Sequence, residues 1–342
     1  MAKNKTKQLK KKTLIYGGGA IGSFIAACMV KAGHKVFFLC RGENYKHIKS
    51  IGLNIKLNNN NKLIKNFYLN ESKNFIVIKN LKKINKIYFD NIFITTKIDQ
   101  NLKKIFFEIE KFIDKKTLII TPCTSIPFWW FKCLNSKLQE KFKIRLNPLF
   151  LKNIKRKNLV GMTMWLSGRI DNPGNVTISH IQRGFPIKEV FLKKKKQVDN
   201  LRKDLKKTTI SPTVKNIFSE IFIKSINSLA FNMIAIKYNQ TNAELAKNYV
   251  GKKEILEILK EGDGLLKRFK IKIYQTPWSR INQTLKSRSH TMSMLYALKN
   301  KKKIELKYLW KSFKKLTYQL NYKMIRTNKT YNEVVKKIYG NI

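Results

Sequence analysis

The sequence predicts an α/β fold, with a parallel sheet in its first half and helices alone in its second. Three observations carry this. Short apolar runs alternate with helix-period stretches through about residue 125, a glycine-rich turn joins the first run to the first helix, and after Pro212 the signals are almost wholly helical, with Pro277 as a further breaker.

Residues 13–16 read as a short buried strand, 17–22 as a tight turn, 23–32 as an apolar helix ended by Gly33, and 36–40 as the next strand. Strand, turn, helix and strand in that order make a βαβ unit. Residues 91–95 and 117–121 repeat the buried-strand pattern, separated by Leu102, Ile105, Phe106, Ile109 and Phe112 at helical spacing. Residues 160–165 and 176–181 flank Asn172-Pro173-Gly174-Asn175, a turn signal, and are expected to add an antiparallel hairpin to the sheet. The chain then divides into a basic tail (1–12), a Rossmann nucleotide-binding domain (13–211) and an all-helical domain (212–342).

At 342 residues there is chain enough for two buried cores. Lysine and arginine number 72 against 20 acids, a formal charge of +52, while 43% hydrophobic and 11% aromatic residues argue against disorder. Such a charge invites nucleic acid. The lysines, however, run the whole length, from Lys10–Lys12 through 193–196 to 301–303, and accompany asparagine and isoleucine, residues favoured by A/T-rich codons. Recognition needs a localised patch, so compositional drift is the reading and no specific nucleic-acid partner is expected. The cysteines at 28, 40, 123 and 133 and the histidines at 34, 47, 180 and 290 show no metal-ligand spacing, and no metal is expected. No stretch approaches the roughly 20 apolar residues of a membrane span, so a reduced, cytoplasmic protein with no membrane partner is expected.

Gly17-Gly18-Gly19-Ala20-Ile21-Gly22 fits GxGxxG, with one glycine for the turn, one for close approach of a diphosphate and one for helix packing. A helix starting near Ala20 supplies free N–H groups to that diphosphate. Where an NAD-binding strand ends in an acid, this one ends in Arg41, whose guanidinium suits a 2′-phosphate. The cofactor expected is NADPH.

With these motifs on the page the chain resembles the ketopantoate reductase (2-dehydropantoate 2-reductase) family, from about Leu14 to Leu306. The glycine loop, Arg41-Gly42, 96–100, 126–131, Pro173-Gly174, 220–224 with Phe231-Asn232, and 293–295 with Glu305 follow the family's order. The resemblance implies a Rossmann domain and a helical domain of the 6-phosphogluconate-dehydrogenase type, with substrate in the cleft between them. It implies NADPH-dependent reduction of ketopantoate to pantoate, towards coenzyme A. Lys224 is similar to the lysine that protonates the carbonyl oxygen, Glu305 to its acidic partner, Asn232 and Ser293 to substrate-binding residues, and Lys97 to a lysine near cofactor and substrate.

The chemistry stands on the residues as well. Hydride delivery to a ketone develops negative charge on oxygen, which a positioned ammonium stabilises and protonates. Lys224 lies among Ile221, Phe222, Ile223 and Ile226, and Glu305 between Ile304 and Leu306, apolar settings for charged groups. The segment around Trp129 and Trp130 reads as packing, and His180 and His290 as ordinary hairpin and helix-edge residues. Departures fall on the substrate side: Thr124 and Ser228 stand where the family has asparagine, and Ala297 where it has aspartate. They leave room for another 2-keto acid or an imine as substrate, and a degenerate Rossmann module binding RNA or acidic partners is the reading from another class. A homodimer is compatible with all three.

Overall fold

The computed structural model describes residues 10–59, 62–82, 84, 87–97, 102–122, 124–127, 129–130, 156–288 and 290–340. Expectations for Ile98, Asp99, Gln100, Phe128, Phe131, Cys123 and Cys133 lie outside these. Two units form: one from the described residues of Met1–Pro122, Leu149–Val160 and Leu166–Thr213, the other from those of Cys123–Pro148, Gly161–Trp165 and Val214–Ile342.

The first unit opens with β1 (Lys12–Tyr16), α1 (Ala20–Lys31), β2 (Lys35–Leu39) and α2 (Gly42–Ser50). After these come β3 (Leu53–Asn59), β4 (Lys62–Leu69), β5 (Phe75–Ile78), β6 (Asn91–Ile94), α3 (Leu102–Ile109) and β7 (Leu118–Ile120). Beyond a gap in the described residues lie β8 (Leu159–Met162), β9 (Trp165–Asn172), β10 (Asn175–Gly184), β11 (Ile187–Glu189) and α4 (Lys195–Lys206). Seven strands form one sheet in the order β11-β8-β7-β6-β1-β2-β5, and β1 pairs in parallel with both β2 and β6. Leu14, Ile15, Val36, Phe38, Ile92 and Phe93 are buried, as continuous apolar strands covered on both faces require.

The hairpin does not join that sheet. It lies in a second sheet, ordered β4-β3-β10-β9, in which β3 runs parallel to β10 and antiparallel to β4. The reason is visible in β3, where Leu53, Ile55 and Leu57 are buried and lysine and asparagine alternate with them. That period of two makes one buried and one solvated face. Helix α1 packs against strands of both sheets and is apolar almost all round, with Gly22 through Met29 buried.

A buried polar chain fastens this unit. His34 Nε2 lies 3.1 Å from Asp204 Oδ2, so its N–H faces the carboxylate, and Nδ1, 2.8 Å from Thr13 Oγ1, is left to accept from that hydroxyl. Asn91 donates to the same hydroxyl oxygen, and Lys11 Nζ donates to Asp204 at 2.8 Å. The chain thereby ties β1, β6, the start of β2 and α4.

The second unit is helical: α5 (Ile217–Tyr238), α6 (Asn242–Lys247), α7 (Tyr249–Arg268), α8 (Pro277–Leu285), α9 (Ser293–Lys299), α10 (Leu306–Leu320) and α11 (Ile325–Tyr339). Pro277 starts α8 instead of ending a helix, with Thr276 capping it through Ser279 N–H. The 22-residue α5 is the hub, packed against α7, α9, α10 and α11. Asn216 caps its start by accepting from Phe218 and Ser219 N–H, and Asn239, at φ 53°, ends it. Contrary to the sequence expectation, this helix is long and apolar enough to cross a membrane; most of it is buried inside its own unit, as a core helix is. Trp129 and Trp130 are fully buried; Trp130 Nε1 donates to Phe218 O at 2.9 Å, and its ring packs on Phe222 and Phe269. These tryptophans are core.

Burial acts to raise the Asp204 carboxyl's pKa, but hydrogen bonds from His34 and Lys11 overcome it and hold the group below its ordinary value. A carboxyl depressed on folding stabilises above its unfolded pKa of about 3.9, and that stabilisation is lost as pH falls through the lower native value. Asp204→Asn is therefore expected to lower the melting temperature at pH 7, with the gap to wild type closing as pH falls below about 4. A gap independent of pH, read by thermal melts from pH 2.5 to 8, contradicts this.

Candidate functional site

The glycine loop shows why each glycine stands where it does. Gly17 has φ +130°, and its N–H donates to Leu39 O at 3.1 Å, binding the turn to β2. A Cβ on Gly18 would lie 2.2 Å from Cys40 Cβ, and one on Gly22 only 2.0 Å from Gly17 O and 2.6 Å from Thr95 Oγ1. Gly19, the N-cap of α1, is the exception: a Cβ there meets nothing within 4 Å. The open side of Gly19 and the unpaired N–H groups of the first turn, at Ala20, Ile21 and Gly22, are what a diphosphate needs. The side chains of Ala20 and Ile21 lie towards Gly168 of β9. Two residues that the sequence did not single out hold the loop. Thr95 Oγ1 donates to Gly17 O at 2.8 Å, and Asn44 donates to Gly18 O at 2.6 Å while accepting from Gly174 N–H at 2.8 Å.

Beside the loop is a cavity of about 390 Å³ whose lining includes Tyr16, Gly17, Gly18, Arg41, Thr96 and Lys104. Arg41 caps the start of α2 and reaches the Tyr16 hydroxyl at 3.4 Å, a long contact. The same hydroxyl donates to Glu108 Oε2 at 2.6 Å. The sequence showed no acid near the end of β2; the structure brings one from α3. Burial and Glu108 together push the Tyr16 phenol up to about 12. Lys97 is exposed, directly after Thr96.

In the helical unit, α5 carries Glu220, Lys224, Ser228 and Asn232 at four-residue intervals, a stripe along one side of the helix. At 1.5 Å per residue, Lys224 and Asn232 are about 12 Å apart along the axis. Lys224 is half-buried, with Nζ 4.5 Å from the centre of the Trp165 ring, and Trp165 Nε1 donates to Glu220 Oε1 at 2.7 Å. Desolvation pushes the Lys224 ammonium down to about 8 against the upward pull of Glu220. Asn232 is buried; its amide donates to Ser228 O at 2.7 Å, and its Oδ1 accepts from Met294 N–H at 2.8 Å and from the Ser293 hydroxyl at 3.5 Å. Three expected residues, Ser228, Asn232 and Ser293, thus meet. Glu305 is half-buried before the first turn of α10, and a carboxylate whose charge acts on Lys224 is Glu220, one turn away on the same helix. An i, i+4 acid–lysine pair was a signal the spacing offered; nothing in the sequence marked Trp165. Thr124 is half-buried in the bend after residue 123.

Among the described residues no cluster of histidine, cysteine or acids forms a metal site, and Cys28 and Cys40 are free and buried.

Residues 13–122 match the family model for the ketopantoate reductase PanE/ApbA. Across 86% of this chain and 88% of its relative, the sequence is 22% identical to a 2-dehydropantoate 2-reductase of Mesorhizobium japonicum. The fold is shared with the 2-dehydropantoate 2-reductase of Geobacter metallireducens GS-15, at TM-score 0.74 and 14% identity over 95% of this chain and 99% of that one. It is shared equally with the ternary structure of D-mandelate dehydrogenase with NADH and anilino(oxo)acetate, at TM-score 0.74 and 20% identity over 95% of this chain and 97% of that one.

The glycines separate folding from binding. Gly22→Ala forces a Cβ onto backbone and is expected to lower the melting temperature sharply, whereas Gly19→Ala has room and should melt like wild type. If the open side of Gly19 receives a diphosphate, Gly19→Ala should nonetheless weaken nucleotide binding at least tenfold, as loss of one strong charge-assisted contact does. Unchanged binding by fluorescence titration would count against that use of the loop.

Proposed function

We propose that this protein, which resembles the ketopantoate reductases, is a pyridine-nucleotide-dependent oxidoreductase that reduces ketopantoate to pantoate with NADPH in the cytoplasm. The observation that carries the proposal is Lys224, a half-buried lysine whose ammonium is pushed down to about 8 on a helix whose same side presents Ser228 and Asn232. A proton donor works best with a pKa near the operating pH, and an ordinary lysine is too weak an acid for the task.

Bound NADPH supplies the hydride. Gly17–Gly22 would hold the diphosphate, Arg41 and Lys97 would meet the phosphate and ribose end, and residues 212–342 would supply the substrate side. The Lys224 ammonium meets the carbonyl oxygen, stabilises the charge that develops there and gives up its proton. Trp165 lies against that ammonium and favours its charged form, since a ring face attracts a cation. Glu220 positions the pair, accepting from the indole while its charge sustains the lysine's. Glu305 is kept, by its likeness to the family's residue, as the acidic partner of Lys224 on the substrate side. Asn232 donates to Ser228 and accepts at its oxygen from Met294 N–H and the Ser293 hydroxyl, so the Ser293 and Ser228 hydroxyls would exchange long contacts with Asn232 for the substrate, with the Thr124 hydroxyl as a third polar group offered to it. Fewer carboxamides mean fewer donors, so a high KM for ketopantoate is part of the proposal. The likeness to D-mandelate dehydrogenase favours, as a second reading, the same chemistry on a different 2-keto acid.

Lys224→Ala should lower kcat by about 10²- to 10⁴-fold while NADPH still binds. In wild type, kcat for reduction should fall as pH rises through about 8, because only the ammonium donates. Glu220→Gln keeps the acceptor for the indole but removes the charge, and should shift that limb to lower pH. A limb that stays in place in Glu220→Gln, or survives in Lys224→Ala, removes Lys224 as the donor.

Restoring an amide with Ser228→Asn or Thr124→Asn should lower the KM for ketopantoate roughly tenfold. If steady-state kinetics instead show both changes worsening ketopantoate turnover while another 2-keto acid is reduced well, the second reading replaces the first.

A further inference from the structure

The lining of the cavity beside the glycine loop carries Arg41, a cation suited to a 2′-phosphate, and the phenol of Tyr16, which bonds Arg41 and Glu108, an acid of the kind suited to a 2′-hydroxyl. Tyr16 is the last residue of β1, directly before the glycine loop, and lines the cavity with Arg41 and Lys104. Its hydroxyl donates to Glu108 at 2.6 Å, short enough for a charge-assisted bond, and its oxygen lies 3.4 Å from Arg41 Nη2.

We propose that Tyr16 is the positioning residue that sets cofactor selectivity, its hydroxyl occupying the Glu108 carboxylate and bracing Arg41 so that the cavity offers cations to the ribose 2′ position. This rests on the reading of the cavity as the nucleotide site. Glu108 with its oxygen engaged by a phenol is a poor acceptor for a ribose hydroxyl. Without that phenol the carboxylate is free to accept from the 2′-hydroxyl of NADH and to repel the 2′-phosphate of NADPH, and it also competes for Arg41. The phenol's raised pKa keeps it a donor throughout the working range. Lys104, one turn before Glu108 on α3, adds a second positive charge to the lining.

The selectivity is read by titrating NADPH and NADH separately into wild type, Tyr16→Phe, Glu108→Gln and the double variant, with no substrate present, and comparing the two dissociation constants. Thermal melts confirm that each variant is folded. Tyr16→Phe should lower the preference for NADPH over NADH roughly tenfold, mainly by weakening NADPH. Glu108→Gln should keep or raise the preference, and the double variant should recover most of what Tyr16→Phe loses, because the carboxylate that does the damage is gone. An equal loss for both cofactors in Tyr16→Phe, an unchanged ratio, or no recovery in the double variant overturns the inference and leaves the proposed reductase standing. Wild type that binds neither cofactor overturns both. Should Tyr16→Phe fail to fold, the Glu108→Gln ratio decides alone, and a fall in NADPH preference there refutes the role.

Discussion

Helix α5 has to bury apolar side chains on nearly every side and still carry a row of polar groups. Ile217, Ile221, Phe222, Ile226, Leu229, Met233 and Ile236 are all buried, and between them stand Glu220, Lys224, Ser228 and Asn232. A polar group taken out of water is tolerated only with a partner. Glu220 has the Trp165 indole, Asn232 has the start of α9, and Lys224 has a ring face and the charge of Glu220. Lys224 is the least compensated of the four. That shortfall is what lowers its affinity for a proton. Other polar groups on the helix face solid structural partners: Asn227 meets Arg280, which is itself paired with Asp263 in the interior. Breaking such a buried pair leaves an uncompensated charge, so this side of α5 is held by contacts that are costly to lose.

The first unit obeys a different constraint, the closeness of backbone to backbone. Gly18 and Gly22 are forced by contacts with Cys40 and with the Gly17 carbonyl, and both contacts come from within the βαβ unit. Gly19 alone of the loop's glycines is free of such contact. Asn44 and Thr95 then lock the loop from α2 and from the end of β6. The loop's shape is thus supported from the end of β2, from α2 and from the end of β6.

Legibility followed sequence distance. The glycine loop, Arg41 and the parallel strands around them were readable because strand, turn and helix signals are local and the burial is continuous. Glu108 and Lys104 were not, since α3 reaches the cavity only through the crossover between β6 and β7. The second sheet was missed because β3 and β4 expose lysine and asparagine on one face, so their alternation hides behind the composition of the whole chain. In the helical unit the family pattern pointed to Glu305 for Lys224; the charge of Glu220, one turn before the lysine on the same helix, was not singled out, although an acid four residues before a lysine is a local signal. Trp165 belongs to neither pattern: it comes to α5 from the strand region, and no rule of period or motif could have placed its ring beside the lysine.

The central claim is that a weakly acidic lysine on α5 and a glycine-loop cavity serve one hydride-transfer reaction on a 2-keto acid. Its most direct measurement is NADPH oxidation by the purified protein against a panel of 2-keto acids headed by ketopantoate. A salt series belongs with it, because a charge of +52 attracts anionic substrates unspecifically. The account predicts saturable oxidation with at least one of these acids, persisting at moderate salt. No turnover with any of them, by protein that is folded and binds NADPH, would contradict it.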